Sequence, residues 1–247
     1  MGVELFQRRA RGAVLTREGD AFVAAAREAL RALRRIPEAV SAAQGVLSGE
    51  LSIGVMHGAW GGLDKALLKI RAEHPGVQMY LRQTAASDLV RELREFHVDI
   101  AVTALPDRPV PGIRYREISN EPLVLVAAHN TDLPNSTITL QEIADVPYID
   151  LSTAWALRAT VDHAFAAAGV TRVRTCELTD INAAAELVRA GLGVTIVPRS
   201  LAERFFVGTI RSVRPSLPHW RVGTAQLSGS VVPAAEALAR ALHGDAG

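Results

Sequence analysis

The sequence has few of the residues that cross-link chains or ligate metals. Cys176 is the only cysteine in the 247 residues, which excludes an internal disulfide and a thiolate cluster for zinc or iron–sulfur. Aromatic residues make up 5% of the chain. No apolar run approaches the ~18 residues of a membrane span, and no apolar segment follows the N-terminal arginines as in a secretory signal. We therefore predict a cytoplasmic protein without cofactors or metal.

Lysine is also scarce, because Lys65 and Lys69 are the only two. Eight arginines lie within residues 1–36 beside four acidic residues, which gives this segment a charge of +4. The remaining residues then carry −3 of the formal total of +1. A basic head on a mildly acidic body predicts that only the head contacts a polyanion.

Residues 17–45 have the pattern of one long helix, with Thr16 as its N-cap. Their apolar residues recur in alternating steps of four and three, which is typical of a heptad seam. The seam consists of Phe22, Ala26, Ala29, Leu33, Ile36 and Val40. It predicts a dimerisation helix; the alternative is an amphipathic helix packed on its own domain. Pro37 predicts a kink or a break near Ile36.

The residues before Thr16 read as two short extended pieces around a turn at Arg11 and Gly12. In such a basic hairpin, Arg8, Arg9 and Arg11 would lie along the phosphates of a nucleic acid or enter its minor groove. A solvated, arginine-rich tail explains the same composition, and this segment alone favours neither interpretation.

From Gly49 onward, strand and helix patterns alternate. Two successive strand–helix–strand units within residues 51–102 predict an α/β fold with a parallel sheet. A second lobe is expected to begin near Pro122, and a strand at 221–225 with a helix at 231–243 is expected to return to the first lobe. These patterns predict lobe I at residues 49–121 and 222–247, and lobe II at 122–221.

Several segments, in this order and spacing, resemble LysR-type transcriptional regulators. They are residues 2–8 (GVELFQR), 15–19 (LTREG), 49–54 (GELSIG), 74–77 (HPGV), 98–101 (VDIA) and above all 187–198 (LVRAGLGVTIVP). The resemblance implies a remnant wing (1–15), a linker helix (16–48) and a two-lobed, periplasmic-binding-protein-like (type 2) effector-binding domain (49–247). It also implies a homodimer or homotetramer. The helix-turn-helix is expected to be missing, so DNA would be bound only through the complete winged helix-turn-helix.

In open α/β sheets, ligands bind beyond the carboxyl ends of the strands. That rule selects loops rich in hydroxyls and small residues, which suit a small organic acid or an aromatic metabolite. The resemblance implies ligand contacts at Met56, His57, Thr84, Ser87, Thr103, Ser152 and Ile181, and the indole rings of Trp60 and Trp155 would cover an apolar face of the ligand.

Each of these residues also has a purely structural interpretation. Ser87 and Ser152 stand where a helix needs an N-cap. Trp60 and Trp155 suit the core, and His57 suits a polar loop edge.

We find no sequence pattern for catalysis. The glycines at 191 and 193 follow a helix and precede a strand, which is the reverse of a dinucleotide-binding loop, so they are expected to end the helix. Cys176 lies in a predicted strand without an adjacent histidine. We therefore predict a metabolite-sensing transcriptional regulator and not an enzyme; the alternative is a free-standing solute-binding protein of the same fold.

Overall fold

The computed structural model describes residues 2–9, 12–59, 61–133 and 137–244. No helix in these ranges is long and apolar enough to cross a membrane. In chain order the elements are β1 (Phe6–Arg9), β2 (Gly12–Leu15), α1 (Arg17–Ala43), β3 (Ser48–Met56), α2 (Leu63–Glu73), β4 (Gly76–Thr84), α3 (Ala86–Arg94), β5 (Ile100–Ala104), β6 (Ile113–Glu121), β7 (Leu123–Ala127), β8 (Thr137–Thr139), β9 (Tyr148–Leu151), α4 (Ala156–Ala167), β10 (Arg174–Leu178), α5 (Ile181–Arg189), β11 (Thr195–Pro198), α6 (Arg199–Phe205), β12 (Thr209–Arg214), β13 (Trp220–Leu227) and α7 (Pro233–Gly244).

Lobe I is built on a five-stranded sheet in the order β4-β3-β5-β13-β6. Strand β3 pairs in parallel with β4 and β5, whereas β13 runs antiparallel to both β5 and β6. The sheet is therefore mixed and not wholly parallel as predicted. The returning strand is the reason, because β13 re-enters lobe I from lobe II in the opposite direction.

Lobe II contains a four-stranded sheet in the order β11-β7-β12-β8 and a parallel pair, β9 and β10. Tyr148 bridges to Val194, which joins the pair to the larger sheet. All five residues of β7 are buried, as the apolar run Leu123–Ala127 predicts. Two chain crossings connect the lobes, and they lie side by side because Glu121 pairs with Trp220.

Helix α1 begins as the sequence predicts. The Gly19 amide donates to Oγ1 of Thr16 (2.9 Å), so Thr16 is the N-cap. The break predicted near Ile36 does not occur, since the helix runs through Pro37 to Ala43. A single proline removes one intrahelical hydrogen bond and leaves the turns on both sides intact.

The apolar seam of α1 is not covered by the rest of the described chain. Phe22 is 43% exposed and Leu33 is 62% exposed, and Ile36 and Val40 are similarly open to solvent. Ala29 is exposed and Ala26 is half-buried. This argues against an amphipathic helix that packs its apolar stripe on its own domain.

Strands β1 and β2 form the antiparallel hairpin expected before α1, with Phe6 opposite Leu15. Arg8 is exposed on this hairpin, and Arg9 is the last residue of β1. Arg11 lies outside the described residues. Oγ1 of Thr16 donates to the carbonyl of Glu4 (2.8 Å), and the Thr16 amide donates to the carbonyl of Leu5 (3.1 Å). The residue that caps the helix thus also holds the segment that leads into β1.

Gly19 allows the hairpin to approach α1, because a Cβ at this position would overlap the carbonyl oxygen of Leu5. We expect Gly19→Ala to push this segment away from the helix. The free energy of unfolding should fall by about 1–3 kcal/mol, the usual cost of overpacking. Hydrogen exchange of the Thr16 amide should then accelerate by roughly ten-fold or more. Gly2→Ala is the control, since a Cβ there meets nothing within 4 Å. Unchanged exchange at Thr16 in the Gly19 variant would contradict this packing.

Candidate functional site

A cleft of about 650 Å³ lies between the two lobes. Lobe I contributes the loop after β3 and the end of β4, and lobe II contributes the turn before α4, the start of α5 and the end of α6. The lining residues are His57, Gly58, Gln83, Trp155, Thr179, Asp180, Ile181, Asn182, Arg204 and Phe205. The carboxyl ends of β3, β4 and β10 all point to this cleft, as the rule for open α/β sheets predicts.

Three of the predicted contact residues line this cleft, namely His57, Trp155 and Ile181. Met56 instead is fully buried, and its sulfur accepts a hydrogen bond from the Ala104 amide (2.9 Å). Thr103 is also buried, on β5 opposite Gly223. These two side chains lie behind the wall of the cleft.

Two other predicted residues, Thr84 and Ser87, lie on lobe I. Thr84 is half-buried and pairs with Met56 at the carboxyl edge of the lobe I sheet. Ser87 is exposed in the first turn of α3. Trp60 lies outside the described residues.

The capping interpretation does not hold for either serine. The N-cap of α3 is Ala85 and the N-cap of α4 is Trp155, and neither makes a side-chain cap. Oγ of Ser152 and Nδ1 of His57 are both buried without a hydrogen-bond partner among the residues the structure describes. Such atoms are rare in folded proteins and call for an explanation, and a bound polar molecule is one.

Trp155 belongs both to the core and to the cleft wall. It is 5% exposed, and its indole Nε1–H donates to the carbonyl of Thr179 (2.9 Å). Its ring centroid lies 5.7 Å from that of His57, at an angle of 40°. Because its only polar donor is already used, Trp155 presents an apolar ring to the cleft.

The lobes come very close at Gly58. This residue has a φ of +80°, and a Cβ on it would lie 2.6 Å from Cζ3 of Trp155. Glycine is thus required here both for the backbone conformation and for the approach of the indole ring. A second contact joins the crossing strand to lobe II, because the Glu121 carboxylate accepts hydrogen bonds from the Ser200 amide and hydroxyl (2.7 Å each).

An ionic network centred on the buried side chains of Asp150, Arg158 and Arg172 lies next to the lobe II wall. The Asp150 carboxylate accepts hydrogen bonds from Arg172 (2.8 Å) and Arg174 (2.7 Å). Arg158, on α4, donates to the carbonyl of Leu151 (3.2 Å) and to Glu177 (2.7 Å). The network therefore ties β9, β10 and α4 together around residues 152–155.

The same network includes Asp162. Burial by itself raises the pKa of Asp162, but the hydrogen-bonded guanidinium groups of Arg172 and Arg158 outweigh it and hold this pKa below its usual value. Arg172 also lies over two aromatic rings, 5.0 Å from the centroid of Tyr148 and 4.8 Å from that of Phe165. Asp162 therefore stays ionised at neutral pH and completes the pairing of the buried arginines.

Seven of the ten lining residues are not among the predicted contacts. Four of them, Gly58, Thr179, Asp180 and Asn182, lie within two residues of His57 or Ile181, and the others are Gln83, Arg204 and Phe205. Gln83 directly precedes Thr84, so the strand-end rule points to its neighbourhood. Arg204 and Phe205 lie on α6, a seven-residue helix that the sequence analysis did not predict. Pro198 followed by Leu201, Ala202 and Phe205 is the signal that would have found it.

Cys176, Asp99 and Asp180 have structural roles. Burial, and then the Asp150 charge, raise the pKa of the Cys176 thiol, which makes it less reactive. Asp99 accepts a hydrogen bond from the Ser52 amide (2.8 Å), and Asp180 caps α5 by accepting a hydrogen bond from the Asn182 amide (2.9 Å).

Within the described ranges, no three His, Cys, Asp or Glu side chains are grouped to hold a metal. Residues 191 and 192 end α5 with the two hydrogen bonds of a Schellman motif, as expected.

Comparison with known proteins identifies the family. Residues 44–246 match the family model for the LysR substrate binding domain. The nitrogen assimilation regulatory protein nac of Escherichia coli (strain K12) is 30% identical over 201 residues, which cover 81% of this chain and 65% of that protein. The chain belongs to the LysR family of transcriptional regulators. This confirms the predicted family and agrees with the prediction that the protein is not an enzyme.

Solved structures confirm the two-lobed fold. The effector binding domain of QuiR in complex with shikimate has a TM-score of 0.67 and 23% identity, and the match covers 79% of this chain and 95% of that one. A full-length OxyR variant from Pseudomonas aeruginosa has a TM-score of 0.75 and 21% identity, and the match covers 98% of this chain and 83% of that one. The chain spans between 61% and 68% of the length of four curated relatives.

Gly58 gives a direct test of the contact between the lobes. We expect Gly58→Ala to hold the lobes apart, because the new Cβ would overlap the Trp155 ring and occupy a strained backbone conformation. The radius of gyration from small-angle X-ray scattering should rise, and Trp155 should become more accessible to a fluorescence quencher. Gly61→Ala is the matched control, since its Cβ meets nothing within 4 Å. Identical scattering from both variants would refute the contact.

Proposed function

We propose that this chain senses a small organic metabolite for a LysR-type transcriptional regulator. The ligand would bind in the cleft between the lobes and change the angle between them. Helix α1 would join two such chains and carry the change to the DNA-binding end. The observation that carries this proposal is the cleft itself, which both lobes line and where Nδ1 of His57 is buried without a hydrogen-bond partner among the described residues.

The size and lining of the cleft support a small ligand. Its volume of about 650 Å³ falls within the ~300–1,000 Å³ of small-molecule sites. His57, Trp155 and Ile181 would contact the ligand directly. Thr84, Ser87 and Ser152 would contact it on closure, whereas Met56 and Thr103 would support the wall from behind. A carboxylate or an aromatic metabolite fits this mixture of apolar rings and polar groups.

The exposed seam of α1 supports self-association. A narrow apolar stripe on a long helix is stable in water only when another surface covers it. A second copy of α1 supplies such a surface, which favours a homodimer, or a homotetramer built from it. In the cytoplasm, Arg8, Arg9 and Arg11 of the hairpin would contact the phosphate backbone of DNA once a complete winged helix-turn-helix is present.

Thermal shift against small acids and aromatic compounds, with shikimate among them, tests the cleft. A true ligand at one hundred times its Kd should stabilise the protein by ~2.7 kcal/mol. Gln83→Trp should abolish this shift because the indole would fill the cleft. Gln78→Trp, on the same strand and outside the cleft, should keep it. The sensing proposal fails if no compound stabilises the wild type more than it stabilises Gln83→Trp.

Sedimentation tests the role of α1. The intact chain should sediment as a dimer or a larger oligomer, and Leu33→Glu should shift it toward the monomer by placing a charge in the seam. Ala24→Glu adds the same charge at an exposed position on the opposite side of the helix and should leave the assembly unchanged. A wild-type chain that is monomeric at tens of micromolar would rule out dimerisation through α1.

A further inference from the structure

We propose that Arg204 recognises the anionic end of the ligand, so that the cleft selects a ring-bearing monocarboxylate. This inference rests on the proposed function, since it names the ligand class of the same cleft. Arg204 lies on α6 and lines the cleft together with Phe205. Its guanidinium carbon lies 5.3 Å from the centroid of the Phe205 ring.

Arg204 differs from the other arginines around it. Among the residues that the structure describes, its guanidinium makes no ion pair and donates no hydrogen bond. Arg199, on the same helix, pairs with Glu203 (3.7 Å). Arg158 and Arg172 are fully engaged with carboxylates in lobe II. Arg204 therefore keeps its five donors available at the wall of a cavity.

The other charged side chain of the cleft, Asp180, is engaged with its own helix. Oδ1 of Asp180 accepts hydrogen bonds from the backbone amide (2.9 Å) and the side-chain amide (3.1 Å) of Asn182, at the positive end of α5. A carboxylate in this position compensates the helix end. Arg204 is the cationic side chain of the cleft and keeps its donors open to a ligand, and a planar guanidinium binds a carboxylate through two parallel hydrogen bonds.

The rest of the lining defines what the carboxylate is attached to. Trp155, Ile181 and Phe205 present apolar surfaces, and the stacking of Arg204 on Phe205 sets the guanidinium beside an aromatic plane. A ring next to the carboxylate would lie along these surfaces while its acid group meets Arg204. Gln83, Asn182 and the unpartnered Nδ1 of His57 remain for polar substituents on the ring.

Two matched pairs of probes separate charge from shape: benzoate with benzamide, and shikimate with its methyl ester. In isothermal titration, we expect at least one acid to bind the wild type ten-fold or more tightly than its neutral partner, because a charge-assisted hydrogen-bonded pair is lost in the neutral compound. Arg204→Gln should remove this preference. Arg204→Lys should keep part of it, since an ammonium retains the charge but not the bidentate geometry.

Arg199→Gln is the control, because it removes an arginine from the same helix outside the cleft and should leave both affinities unchanged. Equal melting temperatures for the Arg199 and Arg204 variants would show that both fold. If neutral partners or amines bind as well as the acids, or if Arg204→Gln keeps the preference, the assignment to Arg204 is wrong and the cleft still stands. If nothing in the wider compound panel binds the wild type, the sensing function fails as well.

Discussion

The lobe II wall of the cleft depends on one buried carboxylate, that of Asp150, which is 2% exposed. A charged group in such a place is tolerated only when partners satisfy it, and Arg172, just before β10, and Arg174, its first residue, do so. Arg158 extends the network to α4 and to the last carbonyl of β9. Residues 152–155 are thus held from both ends. The position of Trp155, and with it the shape of the cleft, follows from ion pairs that themselves lie outside it.

On the opposite side of the cleft, lobe I contacts the lobe II wall through its backbone at Gly58 and not through a long side chain. Gly58 brings its own Cα against the Trp155 ring, and the His57 ring lies beside the same indole. Only the two crossing strands connect the lobes covalently, and Glu121 adds a contact from one of them to α6. A ligand in the cleft would touch α5, α6, and the ends of β3 and β4 at once. Its binding energy can therefore act on the angle between the lobes.

The sequence predicts the elements with strong periodicity and the order in which they occur, but not the direction of each side chain. Strand β3 and the loop after it were found, yet Met56 turns inward while the adjacent His57 lines the cleft. A shift of one residue reverses which face a strand residue occupies, so a strand end assigned from composition leaves this choice open. Strands β6, β8 and β12 and helix α6 were missed because they are short or carry polar residues, and their partners are distant in sequence. Arg204 and Phe205 were lost with α6.

The chain segment that joins the cleft to helix α1 is short and continuous. Strand β3 begins at Ser48, soon after α1 ends at Ala43, and it ends at Met56, directly before His57 in the cleft. Arg27 of α1 contacts Nε2 of His97 in lobe I (2.7 Å), which gives the helix a second attachment to the same lobe. A rigid strand in the middle of a sheet transmits displacement better than a loop, since its neighbours β4 and β5 move with it. A change in lobe angle that moved His57 would therefore act on the lobe to which α1 is attached, while the ionic network would keep the lobe II wall internally rigid.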